Sequence, residues 1–209
     1  YPALGFLISG GHTQLVLIKN WRKYEILGET LDDAAGEAYD KVARMLQLGY
    51  PGGPILSELA KEGEPIYDLP EPMVARKDLN FSFSGLKTAC MYYLKRNEPE
   101  LTREFCADFA ASFQHSVLQM MIRRLSRAID MYEPKMLLLG GGVVSNVEIR
   151  TQARIVARDY GLKIYIPYAD TLFTDNAAMI GLVGYFMAEE GEFWEDVETL
   201  ERTPNLRLG

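Results

Sequence analysis

Met136-Leu137-Leu138-Leu139-Gly140-Gly141-Gly142-Val143-Val144-Ser145-Asn146 is the stretch on which the fold turns. Its apolar first part shows no polar alternation, the pattern of a strand covered on both faces inside a parallel sheet. Three glycines end it, where a side chain would block a tight turn or a ligand's approach to bare backbone N–H groups. Ser145 and Glu148 stand three apart as a capping box, so a helix is predicted to open directly afterwards. Strand, glycine turn and helix N-terminus together form an anion pocket, because free N–H groups and the positive end of the helix dipole converge there. A plain β–α connection without ligand has the same pattern, so the motif alone leaves both readings open.

Outward from this stretch, composition sets bounds. The 209 residues are 48% hydrophobic and 24% charged, as in a globular protein of one large domain or two small ones. The formal charge of −7 argues against bulk attraction to nucleic acid and leaves room for a local basic strip. Cys90 and Cys106 fall on predicted helices without metal-ligand spacing, and read as reduced core thiols of a cytoplasmic protein. No run approaches membrane-spanning length and no signal peptide is visible, so no membrane partner is expected. The chain opens at Tyr1-Pro2, almost directly inside a strand, and is expected to be part of a longer protein.

Upstream, strand-like runs from Gly5 to Ser9 and from His12 to Ile18 flank Gly10-Gly11. This predicts a hairpin with a primed turn, which needs positive φ, joined by a third strand from Tyr24 to Leu27. His12 could orient a phosphate or simply hold the hairpin; lone histidines are seldom ligands. Leu31 to Leu46 reads as a helix with Asp32 and Asp33 at its acidic start and an apolar stripe through Ala38, Val42 and Met45. Asp40 lies mid-helix, where aspartate is a poor helix former. It is either a solvated carboxylate or one that faces a cleft to hold sugar hydroxyls. Tyr50-Pro51-Gly52-Gly53-Pro54 is a rigid turn, with Pro54 suited to the first position of the next helix.

Glu62 to Lys77 is proline-rich and irregular. Asn80 to Phe83 alternates like a strand, and Ser84 is a candidate N-cap for a helix through Lys95. Thr102 to Tyr132 keeps helical spacing through Phe105, Phe109, Phe113, Val117, Met121 and Leu125. Arg123, Arg124 and Arg127 read as its solvated face, and His115 has no ligand-type partner nearby. A helix to Tyr160, a strand from Leu162 to Ile166 and an apolar helix to about Glu190 follow the glycine turn. Asp175 stands where an N-cap belongs. From Trp194 onward the chain reads as an extended tail.

Six stretches occur in one order: Ser9-Gly-Gly-His-Thr-Gln14, Asp32-Asp-Ala-Ala-Gly-Glu-Ala-Tyr-Asp-Lys41, Tyr50-Pro-Gly-Gly-Pro54, Phe81-Ser-Phe-Ser-Gly-Leu-Lys-Thr88, Gly140-Gly-Gly-Val-Val-Ser-Asn146 and Thr174-Asp-Asn-Ala-Ala-Met-Ile180. Together they resemble the TsaD family of tRNA N6-adenosine threonylcarbamoyltransferases, formerly called O-sialoglycoprotein endopeptidases, and the bacterial branch above all. The resemblance covers nearly the whole chain. It implies an α/β actin-like ATPase (RNase H-like) fold. Residues 1–168 would form the second lobe, a mixed β-sheet flanked by helices. Residues 169–209 would hold a metal-ligand loop, a C-terminal helix that returns to a missing first lobe, and the tail.

The resemblance also implies roles. Leu7, Ile8, Ser9, Gly10 and Gly11 would wrap the substrate with backbone groups. Asp40 and Gly53 would hold the ribose of an adenylate, and Asn146 would contact the nucleotide. Asp175 would be one ligand of a divalent metal, Fe(2+) ahead of Zn(2+). The family's other ligands, a His-x-x-x-His pair, are absent, since His12 and His115 cannot supply that spacing. The implied reaction moves the threonylcarbamoyl group from threonylcarbamoyl-AMP to an adenosine beside the tRNA anticodon. A paralogous actin-like subunit and a small ATPase are the implied partners. Other readings are a sugar or acetate kinase, a metalloprotease, which would need a zinc-binding histidine pair that is missing, and a degenerate nucleotide-binding scaffold.

Overall fold

A computed structural model describes residues 1–194, 196–199 and 201. The tail expected beyond Trp194 therefore lies largely outside the described residues. Three antiparallel strands open the chain: β1 (Ala3–Ile8), β2 (Thr13–Asn20) and β3 (Lys23–Glu29). β4 (Met136–Gly140) pairs parallel to β1, and β5 (Lys163–Tyr165) parallel to β4. The result is one mixed sheet in the order β3-β2-β1-β4-β5. Both glycine turns thus leave the same end of adjacent parallel strands, where open α/β sheets form their ligand crevices.

Helices supply the core on one face. α1 (Ala35–Met45), α2 (Gly52–Leu59), α3 (Ser84–Asn97) and the 30-residue α4 (Arg103–Tyr132) pack with the inward residues Leu4, Phe6, Ile8, Leu137 and Leu139. Tyr39 meets Phe113 edge-on at 5.0 Å, and Phe6 stacks on Phe81 at 5.7 Å. Each such fully buried ring contributes about 2–3 kcal/mol of transfer free energy. α5 (Val147–Asp159) packs on α4 and β5. β4 departs from the doubly buried strand expected of it. Leu137 and Leu139 are buried, but Met136, Leu138 and Gly140 are half-exposed. The second face of the sheet stays open along a groove past Gly5, Leu7, Val16 and Leu138.

Two further expectations are corrected. Asn80–Phe83 forms no strand, only a single bridge between Phe81 and Thr30. Nor is Arg124 solvated; it is 1% exposed. Its guanidinium donates to the carbonyls of Asn80, Arg76 and Met73 at 2.9–3.0 Å. Arg127 also donates to Arg76 O, and Arg123 pairs with Glu71. These bonds tie the proline-rich excursion to α4, because five fixed guanidinium donors suit a cluster of loop carbonyls. α6 (Ala177–Glu189), by contrast, has no buried residue.

Candidate functional site

The site begins at the turn that ends β1. Ser9 N donates to His12 O at 2.7 Å, and Ser9 Oγ accepts from the N–H groups of His12 (2.9 Å) and Gly11 (3.3 Å). Neither Gly10 nor Gly11 has positive φ, so the primed turn is not formed. The serine hydroxyl closes the loop instead. A Cβ at Gly10 or Gly11 would meet no atom within 4 Å, which leaves the backbone there open. The turn seats on the start of α1: Ser9 O accepts from Gly36 N, and Thr13 Oγ1 from Ala35 N. A side chain at Gly36 would lie 2.9 Å from the Gly10 Cα.

The second turn comes from the opening stretch. Gly141 has φ +98°, and a Cβ there would sit 2.3 Å from the Ile8 carbonyl oxygen. Only glycine fits, which locks this turn against the end of β1. A short 3-10 turn over Gly142–Ser145 intervenes, so the expected Ser145 cap falls one residue early. Asn146 is the N-cap of α5: its Oδ1 accepts from Glu148 N (2.9 Å) and Ile149 N (3.3 Å). Its Nδ2 donates to Ser57 Oγ (3.0 Å) on α2 and Gln114 Oε1 (2.7 Å) on α4.

α1 and α2 close the third side. Asp40 Oδ1 accepts from Gly53 N at 2.7 Å, so a carboxylate of one helix caps the first turn of the next. Pro54 is therefore the third helical residue, not the first as expected. Oδ2 of Asp40 has no partner among the described residues and is free to accept. Gly10, Gly36, Asp40, Gly53, Gly142 and Asn146 line one cleft of about 310 Å³. Residues 10, 40, 53 and 146 are thus brought together from four separate stretches. Gly53 spends its N–H on Asp40 and so acts on the carboxylate. Leu7 and Ile8 are elsewhere, in β1, paired with Gln14 and Thr13. Leu7 lines the groove on the other face of the sheet. Ser9 and Gly11 hold the turn and do not line the cleft.

The acidic pair before α1 does not serve that helix. Asp32 accepts from Phe83 N, Ser84 N and Ser82 Oγ, and so caps α3; Ser84 is not the cap. Partial burial opposes its ionisation, but these bonds prevail and hold its carboxyl below the usual range. Asp33 pairs with Lys41 and Lys87, which outweigh its desolvation in the same direction. The Phe81–Thr88 motif is explained by this anchoring. Asp175 also loses its capping role, because Asn176 Oδ1 accepts from Met179 N and caps α6. Asp175 is exposed and makes no hydrogen bond among the described residues. Its neighbour Thr174 lies beside the glycine turn, with Cγ2 3.5 Å from where a Gly142 Cβ would be. Among the described residues no three His, Cys, Asp or Glu side chains group to hold a metal.

Sequence reading missed Ser57, Gln114 and Gly36. The first two sit on apolar-patterned helices and announce nothing by spacing. Gly36 carries the one available signal, a glycine in the first turn of a helix, where it costs stability unless something approaches closely.

A family model described as TsaD: tRNA N6-adenosine threonylcarbamoyltransferase matches residues 1–182. A relative of that name from Kosmotoga olearia is 44% identical over 193 residues, covering 92% of this chain and 57% of its own length. One from Dictyoglomus turgidum is 41% identical over 209 residues, covering 100% and 61%. One from Thermodesulfovibrio yellowstonii is 46% identical over 196 residues, covering 92% and 58%. The chain thus spans about three fifths of these relatives' length. Among solved structures, T. kodakarensis HypF matches with a TM-score of 0.66 at 14% identity, covering 90% of this chain and 34% of that one. A full-length HypF in the phosphate- and nucleotide-bound form matches at 0.59 and 12%, covering 80% and 36%. At that identity the likeness concerns the fold.

Proposed function

This chain belongs to the TsaD family, with its actin-like, RNase H-like fold, and from that premise we propose that its cleft holds the adenylate of threonylcarbamoyl-AMP during transfer to tRNA. The exocyclic N6 amine of the adenosine beside the anticodon attacks the carbamoyl carbonyl. The bond from that carbon to the phosphate oxygen breaks, and AMP leaves. The observation that carries the reading is the convergence of Gly10, Asp40, Gly53 and Asn146 on one cleft.

Each residue's chemistry follows from its bonds. Asp40 lines the cleft and its Oδ1 is fixed by Gly53 N–H, which leaves Oδ2 as the acceptor for sugar hydroxyls. Gly10, on the cleft wall, presents a backbone N–H that makes no hydrogen bond among the described residues, and it carries no side chain to obstruct a ligand. The glycine turn and the start of α5 add positive potential for a phosphate. Asp175 is this chain's contribution to a divalent metal, iron ahead of zinc, since its carboxylate is exposed and uncommitted. Such an ion would neutralise charge developing on phosphate or carbonyl oxygens. The other ligands, and the lobe on which α6 packs, are assigned to the part of the full-length protein corresponding to the rest of the relatives' length. A paralogous actin-like subunit and a small ATPase remain the proposed partners, in the cytoplasm. No helix among the described residues is long and apolar enough to cross a membrane.

The test is transfer by the full-length protein with its partners, given threonylcarbamoyl-AMP and tRNA and read by nucleoside mass spectrometry. The modified adenosine is expected with wild type. Asp40→Ala should weaken adenylate binding by about 1–3 kcal/mol, and by removing the α2 cap should also cost about 1 kcal/mol of stability. Wild-type protein that modifies no adenosine would refute the reading.

A further inference from the structure

Asn146 presents a difficulty that the cleft geometry itself resolves. Its side chain already makes four hydrogen bonds, two through Oδ1 to α5 and two through Nδ2 to Ser57 and Gln114. That is the full capacity of its two amide hydrogens, and the capping bonds fix which end is nitrogen. A ligand contact by Nδ2 therefore requires it to surrender one partner. The Ser57 bond is the longer, at 3.0 Å against 2.7 Å, and its hydroxyl lies on the cleft wall. Gln114 is the better anchored partner. It is 7% exposed in the middle of α4, and its Oε1 also accepts from Tyr39 OH at 3.4 Å. Burial raises the Tyr39 phenol well above its ordinary range, so it stays a donor at any working pH.

We propose that Gln114 is a positioning residue: it holds the Asn146 amide in plane when Nδ2 exchanges Ser57 for the nucleotide. The proposal rests on the reading of the cleft as an adenylate site. Gln114 never touches the ligand. Its Oε1 fixes one Nδ2 hydrogen, so the other is left aimed along a single direction into the cleft, and less rotamer freedom is lost when the ligand binds. Tyr39 holds Gln114 in turn, packed edge-on against Phe113.

The experiment titrates AMP into the full-length protein by calorimetry, beside thermal melts. Gln114→Met keeps length but not the acceptor, and should weaken AMP about tenfold, the equivalent of one hydrogen bond at the site. Gln114→Glu keeps an acceptor for Asn146 and Tyr39 and should stay within about threefold of wild type. In transfer assays Gln114→Met should raise KM for the adenylate with kcat little changed, since AMP positioning and not the carbonyl chemistry is affected. A role confined to packing would lower the melting temperature and leave AMP affinity, measured well below it, unchanged; that result overturns the proposal. So does an equal loss in Gln114→Glu and Gln114→Met. If Gln114→Met does not fold, Tyr39→Phe decides: a loss of about threefold supports the relay, and unchanged affinity refutes it. Wild type that binds no AMP removes the adenylate reading and this inference together, whereas normal wild-type binding with indifferent variants removes this inference alone.

Discussion

Single atoms decide two positions in this molecule. Gly141 combines φ +98° and ψ 153° with an Ile8 carbonyl oxygen 2.3 Å from any added Cβ. Gly141→Ala is therefore expected to destabilise by about 3 kcal/mol, read as a lower denaturant midpoint with unchanged slope. Gly10→Ala, in open space, should leave the midpoint nearly unmoved and lower AMP affinity instead. The glycines of the opening stretch were legible as a class, but which one the backbone demands was not, because that depends on Ile8 from a strand over a hundred residues away. Asp175 shows the reverse. Spacing favours it as a cap, yet Asn176 takes that place. Asp175→Asn in the full-length protein should leave metal-free stability within about 0.5 kcal/mol of wild type while bound metal and transfer fall sharply. Full metal content in that variant would end the assignment of Asp175 as a ligand.

At the level of elements, periodicity, turn residues and capping signals announced the α-helices, and hydrogen bonds from distant residues set the starts of two of them. Asp40 caps α2, Asp32 caps α3 and Asn146 caps α5, and two of these three come from another element. No local capping box announces such a bond. α4 shows the same limit inside an element, for its stripe of aromatics was readable and the burial of Arg124 was not. Arg124→Met should remove three hydrogen bonds from a charged donor, leaving the Asn80 carbonyl with no donor among the described residues, and cost about 3 kcal/mol or more, with the 62–80 segment becoming susceptible to proteolysis. Acid should loosen α3 as well. The Asp32 carboxyl sits below its unfolded value, so its contribution to stability is present above the unfolded pKa, about 4, and is lost as pH falls through the lower folded value. Asp32→Asn should shrink that acid-side loss in pH-dependent melts; an unchanged acid limb would show that the Ser82 and Ser84 bonds contribute nothing.

For the whole molecule, the sheet order β3-β2-β1-β4-β5 places both glycine turns at one end, and α1 and α2 complete the cleft. Chain order alone could not reveal that closure, since residues 10, 40, 53 and 146 meet through β1–β4 pairing and the α1–α2 contact. The recurrence of six motifs in one order did reveal it by likeness. α6 presents Ile180, Leu182 and Tyr185 at 58–74% exposure on different sides of the helix, which accords with a chain spanning about three fifths of its relatives' length. The adenylate is proposed to sit in this cleft. The structure of the full-length protein with AMP tests it most directly. The ribose hydroxyls are expected on Asp40 Oδ2, with Gly53 N–H still on Oδ1 and Asn146 Nδ2 donating to the nucleotide in place of Ser57. AMP bound anywhere else, with Asp40 open to solvent, would contradict it.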